Sequence, residues 1–181
     1  MGVRKGNLFI RAGGGVFVVA LLMIGLWAFI ARPVSGAGGY RPGEVEYGQP
    51  LSSTQPGGVE SGVLVVSYPF DGPQPHLELP VYFSDAGRVK VGGQAHYTFV
   101  VRNTGNGPLI IRRLYPTCAY LRAELTASVI PPGRVALLTV TLDPAQYPGE
   151  LPVRIRRGVI IQSNDPRSPE SEVWVQAMIV P

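Results

Sequence analysis

The sequence predicts an all-β domain, a two-sheet sandwich, behind one membrane-spanning helix, and three observations predict it. Residues 61–181 break into short apolar runs separated by Pro, Gly, Asn and Asp, which is the rhythm of strands and turns. No stretch there repeats its apolar residues at helical spacing. Ahead of them, Ala12 to Ala31 is a run of twenty residues without a charge. At about 1.5 Å per residue such a helix matches the roughly 30 Å hydrocarbon core of a bilayer.

Residues 1–11 form the N-terminal flank. Arg4, Lys5 and Arg11 precede the apolar run, whereas Arg32 and Arg41 behind it are joined by Glu44 and Glu46. The positive-inside bias therefore places residues 1–11 in the cytoplasm, residues 12–31 across the cytoplasmic (inner) membrane as a single pass, and the rest on the periplasmic or extracellular side. Trp27 and Phe29 stand where an interfacial aromatic belt would. The alternative is a cleaved secretory signal, for which Ser35, Gly36 and Ala37 supply small residues. Either reading exports the remainder. Cys118 is the sole cysteine, so no lipid-modified cysteine follows the run. The run has no pair of small residues four apart, and close glycine-mediated self-packing is not indicated.

The formal net charge of +4 divides unevenly. Residues 1–31 carry three basic and no acidic groups, residues 32–60 two against three, and residues 61–181 eleven against nine. Most of the excess is thus topology signal. Without a basic run or an arginine-aromatic stacking pattern, nucleic acid is excluded as a partner.

Residues 32–60 contain eleven Gly or Pro in twenty-nine positions and no apolar periodicity, the composition of a chain that buries too little surface to order itself. This segment is expected to be an extracytoplasmic linker, spanning roughly 30 Å root-mean-square as a flexible coil.

Within residues 61–181 strands are expected at Gly62 to Ser67, His76 to Phe83, Gln94 to Arg102, Leu109 to Leu114, Ala119 to Leu125, Val135 to Leu142, Val153 to Gln162 and Glu172 to Val180. Turn clusters punctuate them: Asn103 to Pro108, Pro131-Pro132-Gly133, Asp143-Pro144, Pro148-Gly149 and Asn164-Asp165-Pro166. Leu138, Val140 and Leu142 alternate with Thr139 and Thr141, and Val173, Val175, Ala177 and Ile179 make a similar stripe. Each pattern suits a strand with one buried face. About 120 residues with this spacing fit an immunoglobulin-like sandwich of seven to eight strands.

The order PHLELPVYFSDAGRVKVGGQAHYTFVVRNTGNGPLIIRRLYPTCAY, then VIPPG, VTLDP and IIQSNDPRSP, resembles a bacterial ASH-like family of exported immunoglobulin-type domains. The resemblance covers about Pro75 to Val180. Its specific parts are the step from Phe83 to Gly87, the Asn103-Thr104-Gly105-Asn106 turn into Leu109-Ile110-Ile111, Pro132-Gly133 before a strand, and Ser163-Asn164-Asp165-Pro166 before the last strand. It implies a sandwich related in shape to major sperm protein and pilus chaperone domains, a binding or scaffolding role, and no catalytic activity. Members of that family commonly carry a Cys-x-Cys pair; here Cys118 stands alone and Tyr120 takes the second place.

A single cysteine closes no internal disulfide, so Cys118 is either an inert buried residue, an interchain thiol, or a reactive or ligating one. His76 and His96 are the only histidines. With Cys118 they make the one conceivable copper or zinc set, although none lies near another in sequence. No nucleophile elbow, phosphate loop or H-E-x-x-H motif appears. The glycines from Asn103 to Gly107 fit a hairpin turn, and Asn164-Asp165-Pro166 a second turn, with Asp165 and Asp143 as the alternative calcium carboxylates. The chain is therefore expected to be no enzyme, to hold no cofactor or metal, and to act on no small-molecule substrate.

Arginines are the best clue to a partner. Arg112 and Arg113 end one strand, and Arg154, Arg156 and Arg157 crowd another, with Arg154 and Arg156 on one face by the two-residue period. They read either as a solvated, aggregation-resistant edge or as a basic surface for anionic headgroups or acidic residues of a neighbouring subunit. Tyr40, Tyr47, Tyr68, Phe70 and Tyr147 add candidate aromatic anchors. The expectation is a membrane-anchored interaction or scaffold module, bound to the bilayer through residues 12–31 and to other subunits of a larger membrane complex, respiratory or photosynthetic. The alternatives are a free-standing periplasmic binding or chaperone-like module and thiol or metal handling at Cys118.

Overall fold

The computed structural model describes residues 39–53 and 72–181. The apolar run at residues 12–31, its basic flank, the strand expected at Gly62 to Ser67, and Tyr68 and Phe70 lie outside the described residues. Among the described residues no helix is long and apolar enough to cross a membrane.

Ten strands are present among the described residues: β1 (Leu51–Ser52), β2 (Leu77–Glu78), β3 (Phe83–Lys90), β4 (Ala95–Asn103), β5 (Leu109–Pro116), β6 (Leu121–Leu125), β7 (Val129–Ile130), β8 (Val135–Leu142), β9 (Val153–Ser163) and β10 (Glu170–Val180). They form two five-stranded sheets, ordered β1-β6-β8-β4-β2 and β3-β10-β9-β5-β7. All pairings are antiparallel except β3 with β10, which run parallel. Helical content among the described residues is two short 3-10 turns, Pro42–Glu44 and Pro144–Gln146.

Alternation builds the core. Leu138, Val140 and Leu142 of β8 are fully buried while Thr139 and Thr141 are half-buried on the other face. Val173, Val175, Ala177 and Ile179 of β10 pack toward them from the second sheet. Burying each such aliphatic side chain contributes about 1.5–3 kcal/mol, and their sum holds the sheets face to face. On β9 the inward positions read Ile155, Arg157, Val159 and Ile161, so Arg157 interrupts the apolar stripe, opposite Val175 of β10.

Three expectations are corrected. His76 to Phe83 is not one strand. Pro80 has no N–H to give a ladder, and the chain leaves the first sheet after β2 and enters the second as β3. β3 itself, polar and glycine-bearing, is legible only from its position at a sheet edge. Between Gln176 and Met178 of β10 it carries a bulge, where Gly87 takes φ +67°, a conformation that suits glycine. With the two-residue strands β1 and β7, the seven to eight strands expected become ten.

The third correction concerns the linker. Residues 39–53 are packed on the sandwich. Val45 is buried against Val100 and Val135 on the outer face of the first sheet, and its backbone bridges Val135. Glu46 N donates to Val135 O at 2.7 Å, and Ser128 N to Gln49 O at 2.8 Å. Arg134 clasps the segment, donating to Gly43 O at 2.7 Å, Val45 O at 3.3 Å and Glu46 Oε2 at 3.2 Å. Composition misleads here because the backbone C=O groups and the N–H groups of the non-proline residues find partners on and beside β6 and β8.

Candidate functional site

Several of the candidate residues meet in a groove of about 580 Å³ at one end of the second sheet, lined from the β5–β6 turn, the β8–β9 loop, β9 and β10. Two of its lining residues, Thr117 and Trp174, are joined to Gly158 of β9. Thr117 N donates to Gly158 O at 3.0 Å, and Gly158 N donates to the Thr117 hydroxyl at 3.0 Å, which fixes the β5–β6 turn to the strand. Gly158 pairs with Trp174 across the ladder. A Cβ there would lie 3.3 Å from the indole and 3.2 Å from Val173 O, so the missing side chain lets the ring settle on the sheet.

One wall is cationic and aromatic together. The Arg156 guanidinium carbon stands 5.2 Å from the centroid of Trp174 and 5.4 Å from that of Phe83, within cation-π range of both rings. The lining also holds a tyrosine pair: Tyr120 and Tyr147 meet edge to face at 5.6 Å and 76°. Arg157 donates from Nε to the Tyr120 hydroxyl at 2.8 Å and from Nη1 to Arg156 O at 3.0 Å.

Cys118 lines the groove and is half-buried with a free thiol. Burial pushes its pKa up, and the Tyr120 hydrogen bonds and the Arg157 charge only partly offset this. Its thiolate, the nucleophilic form, is therefore disfavoured. The Tyr120 hydroxyl is likewise pushed up by burial, with Cys118 adding to it and Arg157 opposing.

The groove unites Arg156, Arg157, Cys118 and Tyr147. Arg154 is exposed on the same outward face of β9 as Arg156, and its charge reaches Asp85. Asp85 is held low by Gly87 N, with a further hydrogen bond from Gln176. Arg112 and Arg113 sit at a bulge in β5 and do not line the groove. Tyr47 is exposed, and Tyr40 packs beside Val45. Sequence pattern does not single out Trp174 or Phe83, although a glycine inside β9, between Arg157 and Val159, is a signal that a ring or backbone approaches there.

The two histidines and Cys118 are not brought together. His76 Nδ1 lies 3.1 Å from Asp165 Oδ2, whereas His96 Nδ1 lies 3.1 Å from the Thr141 hydroxyl on the first sheet. Asp143 and Asp165 are also occupied separately. Asp143 accepts from Ala145 N at 3.1 Å, and buried Asp165 accepts from Leu77 N at 2.8 Å and Arg167 N at 2.9 Å. Among the described residues no cluster of His, Cys, Asp and Glu is assembled that could hold a metal ion.

Comparison with known proteins follows this geometry. No curated protein sequence matches the chain significantly. A crystal structure of a protein of unknown function from Porphyromonas gingivalis superposes with a TM-score of 0.53 at 28% identity, covering 58% of this chain and 47% of that one. The secreted serine protease VesC from Vibrio cholerae gives 0.41 at 11% identity, over 59% of this chain and 23% of that one. The ASH / PapD-like domain 7 of human CEP192 gives 0.48 at 10%, over 66% and 96%. The chain thus spans about half the length of the Porphyromonas protein and under a quarter of VesC. Residues 75–178, more than half of the chain, match the family described as HYDIN/CFA65/VesB-like, Ig-like domain. The chain belongs to that family of immunoglobulin-like domains.

Proposed function

We propose that this chain is a non-catalytic protein-interaction module anchored in the bacterial cytoplasmic membrane by residues 12–31, and that it serves as an accessory subunit of a larger membrane complex, of the respiratory or photosynthetic electron-transfer kind. The observation that carries the interaction reading is the groove, where Arg156 is held beside Trp174 and Phe83 and a tyrosine pair shares the lining. Arginine with aromatic residues is the composition of protein interface centres. The uncharged run at residues 12–31 supports the anchor.

The test is to solubilise native membranes in mild detergent, isolate the chain, and identify by mass spectrometry what accompanies it and in what ratio, reading the N-terminus in the same experiment. Fixed-ratio partners with an intact segment from Met1 to Ala31 are expected. A solitary protein beginning near Gly38 overturns the subunit reading.

A second reading has its own observation. β3 is hydrogen-bonded to one strand, β10, among the described residues, and a sheet edge of eight residues is long enough to receive a partner strand. In that reading the protein is a free-standing periplasmic binding or chaperone-like module with transient clients. A proline placed at an outward-bonding position of β3 abolishes client capture if strand addition operates, and leaves it intact if the groove is the contact.

A further inference from the structure

Building on the interaction reading, we infer that the groove between the tyrosine pair and Trp174 receives an acidic side chain, an Asp or Glu within an extended segment of a partner protein. Three observations converge on that chemistry. The Arg156 guanidinium has cation-π neighbours but no hydrogen-bond or ion-pair partner among the described residues. Arg157 commits Nε to Tyr120 and Nη1 to the Arg156 carbonyl, and Nη2 has no partner among the described residues. No residue lining the groove is acidic. Two arginines thus line one groove that has no carboxylate in its lining, and the planar fork of a single guanidinium pairs with a carboxylate through two parallel N–H bonds.

The arginines are also held before any ligand arrives. Arg157 is pinned by the Tyr120 hydroxyl and Arg156 by two rings, so little side-chain freedom remains to be lost on binding. Asp85, in register with Gln176 and Arg156 across the sheet, is engaged by Gly87 N at 2.8 Å and Gln176 Nε2 at 2.8 Å. The aromatic walls favour a polypeptide over a lipid headgroup. Trp174, Tyr120 and Tyr147 offer area for the methylenes and apolar neighbours of an acidic residue, whereas headgroup binding is served by exposed lysines and arginines alone.

The experiment uses the full chain in detergent micelles and a pool of hexapeptides capped at both ends, so that only side chains supply carboxylates. The pool carries Glu or Asp at two positions beside varied apolar residues, and a matched pool carries Gln or Asn there. Retained peptides are counted by mass spectrometry, and Trp174 emission is followed in a Trp27→Phe background during titration of the best binder. Acid-bearing peptides are expected to be retained at least tenfold over their amide counterparts. Arg156→Gln is expected to lower affinity about tenfold, the effect of one charge-assisted bond, and Arg156→Gln with Arg157→Gln to remove the preference.

Thermal melts accompany each variant. Arg156→Gln, at an exposed position, keeps the test meaningful if the double variant unfolds. Equal retention of acid and amide pools overturns the inference, as does an acid preference untouched by Arg156→Gln. Arginine-dependent binding to vesicles containing phosphatidylglycerol, without peptide retention, overturns it in favour of a lipid surface. Fixed-ratio partners in native membranes alongside failure of the peptide experiment would leave the subunit reading standing and remove the groove from it.

Discussion

Arg157 and Tyr120 are 37 residues apart in the chain and 2.8 Å apart in the fold, the guanidinium Nε donating to the phenolic oxygen. Arg157 stands at an inward position of β9, opposite Val175. A cation there is tolerated because the tyrosine at the end of the β5–β6 turn meets it. Tyr120→Phe is expected to lower stability by about 1 kcal/mol, the usual net value of one such bond, read as a shift in the urea midpoint of the full chain in detergent. No shift would mean that solvent satisfies Arg157 equally well.

Gly105 sits in the turn after β4, and a Cβ there would fall against the backbone of Gln74, Pro75 and His76. Backbone cannot swing aside as a side-chain tip can. Gly105→Ala is expected to cost about 1–3 kcal/mol, the range for overpacking, measured by thermal denaturation. The same substitution at Gly43, where nothing lies within 4 Å, is expected to change stability by under about 0.5 kcal/mol, as surface changes do.

Asp165 links the turn between β9 and β10 to the start of β2. Burial works against its charge, but hydrogen bonds from Leu77 N, Arg167 N and His76 outweigh this and hold its carboxyl below the usual range. Its folded value thus lies below the unfolded value of about 3.9. The stabilisation is full above that pH and is lost as pH falls through the folded value. Asp165→Asn is expected to flatten the acid limb of a stability-against-pH profile below about pH 4, while lowering stability at pH 7 by about 1–3 kcal/mol through weaker acceptance of the two amides.

Val45 tests whether residues 39–53 brace the sandwich. It is 5% exposed and packs with Val100 and Val135. Val45→Ala removes two buried methyl groups, and a loss of about 1–2 kcal/mol is expected at roughly 0.8 kcal/mol per buried carbon plus a small cavity. Unchanged urea unfolding would show that the segment contributes nothing to the domain.

Cys118 is predicted to be a slow thiol. With its pKa raised chiefly by burial, alkylation by iodoacetamide at pH 7 should run at least about tenfold slower than for an unhindered cysteine peptide. The rate should climb as pH passes above the ordinary thiol range. Mass-spectrometric time courses decide this, and rapid alkylation at pH 7 would return Cys118 to the reactive class.

The all-β class and the positions of the central strands were legible in the residues alone. β8 spans Val135–Leu142 as expected, and β4, β5, β9 and β10 differ by a few residues at their ends. Two-residue alternation is a local property, written wherever a strand buries one face. It also marked Arg156, Arg157 and Cys118 as groups needing an explanation. What surrounds them was decided by the tertiary structure. Register sets Trp174 over Gly158, the sheet switch after Pro80 carries Phe83 to Arg156, and the β5–β6 turn delivers Tyr120 to Arg157. The brace from Val45 to Val135 was hidden for the same reason. Composition records how much apolar surface a segment owns, whereas order also depends on which backbone groups of distant strands lie within hydrogen-bonding reach, and only the folded chain fixes that.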